Sequence, residues 1–321
     1  MTDTSVGVGR LYVIGGAEDK LKRRTVLRRF VEACGGEQAR IAVIPTASSL
    51  GPEIIEVYAA LFARLGAGST TAVRPESRED ANDARFVSRL DDVSGIFMTG
   101  GNQLKLSAVI NGTAFGEAIR DAHHRGVTIG GTSAGASVQS SHMVAFGSGG
   151  ATPKQRMTQL ASGLGLVRDC VIDQHFAQRN RYGRLLMLIA QSPDLLGMGV
   201  DEDTAAIITD HELEVIGRGA VTVIDGRDVV SNAHEATHTK PLLVSGARLH
   251  VLPAGAKFDL VKRALIPAPT QPHPDEVEEL EEAANGLRKL ARDIAAEGVS
   301  PTYFRRRRAR STSADREDGS A

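Results

Sequence analysis

A chain of 321 residues, 41% hydrophobic and 24% charged, is long enough for one large α/β domain with an appendage and has the composition of a water-exposed globule. Its formal net charge of −1 excludes a general polyanion-binding surface, so nucleic acid is not an expected partner, and no apolar run approaches the ~20 residues that span a bilayer, so neither is a membrane. The two cysteines, Cys34 and Cys170, argue against a disulfide framework and no basic stretch followed by an apolar core opens the chain, so the expected compartment is the cytoplasm.

In chain order, short apolar runs predict strands over 11–14, 41–44, 70–73, 95–98, 127–129 and 170–172. Amphipathic stretches predict helices over 21–33, 53–65, 81–90, 104–109 and 115–123. Strands that are apolar throughout and alternate with helices indicate a mostly parallel sheet covered on both faces, an α/β fold of the flavodoxin-like kind. Ligands in such folds sit beyond the carboxyl ends of the strands. The strand ends here are glycine-rich or polar: Gly15-Gly16-Ala17-Glu18-Asp19, Pro45-Thr46-Ala47-Ser48-Ser49, and Thr99-Gly100-Gly101-Asn102-Gln103. From Ala205 onward, β-prone runs over 205–209, 214–216, 220–224 and 248–252 read as hairpins that extend the sheet. The catalytic-size domain is expected over 1–265. Residues 266–321 read as a Pro-rich linker, an amphipathic helix over about 275–297 and a solvated, Arg-rich tail.

Gly131-Thr132-Ser133-Ala134-Gly135 follows the 127–129 run and precedes a helix-compatible stretch. A strand, a sharp turn and a helix start, with glycines two residues to either side of a serine, is the arrangement that projects a nucleophile. On the pentapeptide alone, a tight turn used for packing or phosphate contact is equally served. A serine nucleophile needs a base and an anion to orient that base. His175, in Asp173-Gln174-His175-Phe176, stands at the end of the 170–172 strand and so on the expected rim with Ser133; His123 and His124 read as surface residues. The acids Asp201-Glu202-Asp203 close another strand, and Asp201 and Glu202 are both eligible as the orienting carboxylate. Ala134 and the Gly100-Gly101 turn offer N–H groups for an oxyanion. The order Ser, His, acid differs from the α/β-hydrolase order, which would have to recruit His234, His238 or His250.

Two other signals compete. His234-Glu235-Ala236-Thr237-His238 matches the HExxH pattern of zinc peptidases, but lies between β-prone runs, where the helix that chemistry needs is not expected. Arg179, Arg181 and Arg184, downstream of His175, suit carboxylate recognition or, equally, a charged helix start on the surface. Together with Glu18, Asp19 and Asp173 they would make a two-signed site.

The segments GGTSAGAS, TGGNQ, VIDQHF followed by RNRYGR, and GVDED, in this order, resemble the cyanophycinase family of serine peptidases, which has a class I glutamine-amidotransferase-like fold. The resemblance runs from about residue 11 to 262. It implies exo-hydrolysis of cyanophycin, a poly-aspartate with arginine on each β-carboxyl, to β-Asp-Arg dipeptides, by a homodimer without cofactor or metal. By motif match it implies Ser133 as nucleophile, His175 as base, Glu202 as orienting acid, and Gln103, Asp173, Gln174, Arg179, Arg181 and Arg184 as substrate contacts; the expected oxyanion donors remain Ala134 and Gly101 from the two turns. The alternatives are a peptidase of this fold acting on other aspartyl dipeptides or isopeptides, a zinc peptidase, and a non-catalytic binding protein.

Overall fold

Leu11–Ile14, apolar and buried at every position, forms β1 inside a nine-stranded sheet. The computed structural model describes residues 7–237 and 239–267. After β1 come α1 (Thr25–Ala33), β2 (Arg40–Ile44), α2 (Pro52–Arg64), β3 (Ser69–Ala72), α3 (Ala84–Val87), β4 (Gly95–Met98), α4 (Gln103–Ile110), α5 (Ala114–His124) and β5 (Thr128–Thr132). Then follow α6 (Ala134–Ser137), β6 (Ser140–Gly147), β7 (Thr158–Ser162), β8 (Val167–Gln174), α7 (Tyr182–Gln191) and β9 (Leu196–Val200). The described part ends in β10 (Thr204–Thr209), β11 (Glu212–Gly217), β12 (Ala220–Asp225), β13 (Val230–Ser231), β14 (Val244–Ser245), β15 (Arg248–Pro253), β16 (Lys257–Asp259) and β17 (Ala264–Ile266).

The α/β class read from the sequence is present, but the strands divide between two mixed sheets, with β13 and β14 paired apart from both. The first has the order β17-β16-β11-β10-β1-β5-β4-β2-β3, parallel from β1 to β3 and antiparallel on the other side of β1. The second has the order β15-β12-β9-β8-β6-β7, with β6, β8 and β9 parallel. The strands leading to Ser133 and His175 are therefore in different sheets. The period-2 alternation of strands places this division. Leu11 and Val13 of β1 face a core that also holds Ile172 of β8, Met198 and Val200 of β9, and Val221 and Val223 of β12. Tyr12 and Ile14 face α1 and α2, whose Phe30, Tyr58 and Phe62 pack with Phe97 of β4 at centroid distances of 4.9–5.8 Å. Val171 and Ile224, on the outer face of the second sheet, meet Leu185 and Ile189 of α7. Removing one of the fully buried rings, Phe97→Ala for example, removes about 3–5 kcal/mol of stability.

Several predicted boundaries shift for local reasons. The helix expected from residue 21 starts at Thr25, because the Asp19 carboxylate accepts the N–H groups of Leu21, Lys22 and Arg24 and holds them in a turn. The helix expected over 81–90 is broken, since Asp83 leaves the helical region and caps α3 by accepting the Arg85 N–H. His123 is buried, not at the surface. The amphipathic helix and tail expected beyond residue 267 lie outside the described residues. Among these, no helix is long and apolar enough to cross a membrane.

Candidate active site

Ser133 is the single residue between β5 and α6, and its backbone sits at φ +52°, ψ −107°. A Cβ at Gly131 would lie 2.1 Å from the Gly135 carbonyl oxygen, and one at Gly135 would lie 2.2 Å from that of Met98. The two flanking glycines thus let β4, β5 and α6 close around the turn. The Ser133 N–H donates to the Ile14 carbonyl at 3.0 Å, fixing the turn to the end of β1 and leaving the half-buried hydroxyl at the rim.

His175 follows β8 directly, at φ +47°, and its N–H donates to the Gly15 carbonyl at 2.8 Å. Its Nε2 is 3.1 Å from Ser133 Oγ, and its Nδ1 is 2.6 Å from Glu202 Oε1. Burial lowers the imidazole pKa below its ordinary value, against the hydrogen bond and charge of Glu202, with Arg179 adding to the lowering. A neutral ring that donates Nδ1–H to Glu202 presents Nε2 as an acceptor for the serine proton. The adjoining acids are otherwise engaged. Asp201 accepts the N–H groups of Ala177 at 3.0 Å and Ala220 at 3.1 Å, and Asp203 accepts that of Asp19 at 2.8 Å. Gln178, which carried no signal in the sequence, accepts the Glu202 N–H at 3.0 Å.

Among the described residues, the N–H groups of Ala134, Gly100 and Gly101 have no acceptor. Gly100 lies beside the serine, since a Cβ there would be 3.4 Å from Ser133 Cβ. Donors without partners at a strand–helix turn are what an oxyanion requires.

The six residues expected to contact substrate separate into different environments. Asp173 is fully buried, and Arg184 donates to both its oxygens, Nε to Oδ2 at 2.6 Å and Nη2 to Oδ1. Arg181 donates to Asp173 Oδ1 at 3.1 Å, to Gln174 Oε1 at 3.2 Å and to the Gln174 carbonyl. Two guanidiniums thus share one carboxylate in a buried cluster, and burial brings Arg181 down to about 10. Gln174 Oε1 is 3.4 Å from Ser133 Oγ, so this cluster abuts the serine. Gln103 donates to the carbonyls of Val144 and Ala145 at 3.3 and 2.8 Å. Arg179 alone of the three arginines is exposed. The arginine-rich run is therefore not a surface helix start: Arg184 and Arg181 are interior. Glu18 and Asp19 do not face the arginines either; Asp19 caps its own loop, and Glu18 is buried on Thr132, Tyr58 and Lys20.

The HExxH segment is in a turn, with the Glu235 N–H donating to the Asn232 carbonyl, and His234 and Glu235 are exposed. This lacks the helix that would bring two imidazoles to one face; His238 lies outside the described residues. His250 packs on the Phe258 ring at 4.9 Å.

Peptidase family S51 matches residues 11–216. The chain is 40% identical over 261 residues to a cyanophycinase from Nostoc sp., covering 80% of this chain and 88% of that protein. It is 40% identical over 252 residues to a cyanophycinase from Geminocystis herdmanii, covering 78% and 93%. In fold it is similar to a peptidase from an acI-B1 Actinobacterium, with a TM-score of 0.56 and 23% identity over 76% of this chain and 98% of that one.

Proposed function

Because this chain belongs to peptidase family S51, the serine-type peptidases, we propose that it degrades cyanophycin from an end, with Ser133 as nucleophile, His175 as general base and acid, and Glu202 as the carboxylate that holds the imidazole. The observation that carries this reading is the unbroken chain from Glu202 Oε1 through both nitrogens of His175 to Ser133 Oγ, at 2.6 and 3.1 Å. Ser133 Oγ attacks the carbonyl carbon of a backbone aspartyl amide while its proton passes to His175 Nε2. The tetrahedral oxyanion is met by the N–H groups of Ala134 and Gly101. Collapse expels the amine with the proton from Nε2, leaving an ester on Ser133. Water, deprotonated by the same nitrogen, then releases the acid and restores the hydroxyl.

The substrate assignment is supported by the cyanophycinase relatives and by the charge of the site. Two arginines against one carboxylate leave a cationic surplus beside the serine, and Arg179 is exposed on the same segment. A free carboxylate of the polymer is the group such a surface attracts. Purified protein incubated with cyanophycin should release β-Asp-Arg, read by mass spectrometry, and Ser133→Ala should abolish release with the fold intact. Turnover by Ser133→Ala would overturn the mechanism. Hydrolysis of short aspartyl peptides with cyanophycin left intact would overturn the substrate.

A further inference from the structure

We infer that Glu18 is a positioning residue that sets the wall behind His175 against the strand end that carries Ser133; this rests on the roles proposed above for those two residues. The loop from Gly15 to Asp19 packs against His175 and the acid turn beside it. The Gly15 carbonyl accepts the His175 N–H at 2.8 Å, and the Gly16 carbonyl accepts the Asp203 N–H at 2.9 Å. The Asp19 N–H donates to Asp203 at 2.8 Å, beside Glu202. The Glu18 side chain of this loop points inward. Glu18 is 4% exposed, and its Oε2 accepts from the Thr132 hydroxyl at 2.5 Å. Its Oε1 accepts from the Tyr58 hydroxyl of α2 at 2.6 Å and from Lys20 Nζ at 2.8 Å.

Thr132 is the residue before Ser133, so one carboxylate joins the loop behind the imidazole to the strand end behind the nucleophile. Burying a carboxylate is unfavourable without partners, and this one has a full set of donors. Burial pushes the Glu18 carboxyl up, but the Lys20 charge and the hydrogen bonds from Lys20, Thr132 and Tyr58 outweigh it and hold the group below its usual range. Glutamine in its place would turn one oxygen into a donor facing donors, freeing Thr132 or the Tyr58–Lys20 pair. The two halves of the site would then move independently, and displacement by about 1 Å is enough to lower the rate about 10²-fold.

The test compares Glu18→Gln, Glu18→Asp and Thr132→Val with the wild type at a temperature where circular dichroism shows each folded. Three quantities are read on cyanophycin: kcat, KM and the acid limb of kcat/KM. Labelling of Ser133 by a fluorophosphonate is followed in parallel. Glu18→Gln and Thr132→Val should each lose about 10²-fold in kcat and in labelling rate, with KM nearly unchanged. Their acid limb should move up, because a loosened wall lets water reach the imidazole and undoes the burial that depresses it. Glu18→Asp, which keeps the charge, should recover part of the loss. Wild-type kcat and acid limb in folded Glu18→Gln and Thr132→Val overturn the inference; if Glu18→Gln does not fold, Thr132→Val, which removes one hydroxyl, decides alone. A wild type that is unlabelled at Ser133 and as active as Ser133→Ala overturns the proposed mechanism, and this inference with it.

Discussion

Gly16 lies flat against the ring of His175: a methyl group there would come within 2.4 Å of both Cε1 and Nε2. Its φ of +97° is also one that a side chain rarely adopts. Gly16→Ala should therefore strike the imidazole and the backbone together. The expected outcome is a fall in kcat of about 10²-fold from the displaced ring, with about 1–2 kcal/mol of lost stability from the left-handed backbone. Steady-state kinetics and urea unfolding measure the two. Wild-type kcat would mean that the ring is free to move.

The acid limb of kcat/KM is expected below pH ~6.5, the ordinary histidine value. The sign follows from the folded state. Burial lowers the His175 pKa, so the proposed base stays deprotonated further into acid and activity is expected to be lost only as pH falls through the depressed value. Arg179 contributes to the lowering from an exposed position. Arg179→Ala should move the limb upward, more at low salt than at high salt, because exposed charges are screened. A limb unmoved by the substitution at low ionic strength would remove Arg179 from the electrostatics of the base.

Glu202 and Asp201 are neighbours with different tasks, and substitution should separate them. Glu202→Gln leaves an amide that cannot hold the imidazole in the same tautomer, and kcat is expected to fall on the order of 10⁴-fold with little change in unfolding. Asp201→Asn can accept only through one oxygen where the carboxylate accepts the N–H groups of both Ala177 and Ala220. Loss of one such charge-assisted bond is expected to lower stability by about 1.5–3 kcal/mol. Thermal unfolding and kcat measured on the same preparations would show an opposite ranking if the assignments were exchanged.

The sequence was most legible where one residue type satisfied one physical demand. The strands 11–14, 41–44 and 95–98 are apolar at nearly every position because both faces are covered, and they appear where periodicity places them. The turn at Ser133 was readable because only glycine fits between crowded backbones. Division into two sheets was not readable. It depends on β6 and β7, whose Ser140, Ser141, Thr158 and Ser162 resemble loop residues, and on β6 pairing with β8. At the start of α7 the reading was split: Arg181 and Arg184 suited carboxylate recognition or a charged helix start at the surface alike, and only the burial of Asp173 explains why they are inside. The choice between Asp201 and Glu202 is likewise one of direction, since adjacent carboxylates are chemically alike and only their N–H partners distinguish them.

Asp173 is the residue on which the arginine pair depends. With both guanidiniums buried and one carboxylate between them, Asp173→Ala leaves two interior cations without a counter-charge. Removing one partner of a buried ion pair is expected to destabilise by about 3–5 kcal/mol. Arg179→Ala, at an exposed position, should leave the urea midpoint unchanged and raise KM. If Asp173 were mainly a substrate contact, Asp173→Ala would raise KM with the midpoint intact, and the roles of Asp173 and Arg179 would be reversed.

The backbone of Ser133 yields the last expectation, because there activity and stability pull in opposite directions. A residue with a Cβ at φ +52°, ψ −107° is strained, and such strain is typically worth about 1–3 kcal/mol. Ser133→Ala removes the hydroxyl and keeps the Cβ, so it should be inactive and close to wild type in stability. Ser133→Gly removes the Cβ too. It gains relief of the strain and loses about 0.4–1 kcal/mol through the freer unfolded chain. The glycine variant should therefore be the more stable of the two inactive proteins, by about 1 kcal/mol, read as a higher urea midpoint at equal slope. Equal midpoints would mean that the turn holds Ser133 without strain, and that the placement of its hydroxyl at the rim is a consequence of the flanking glycines alone.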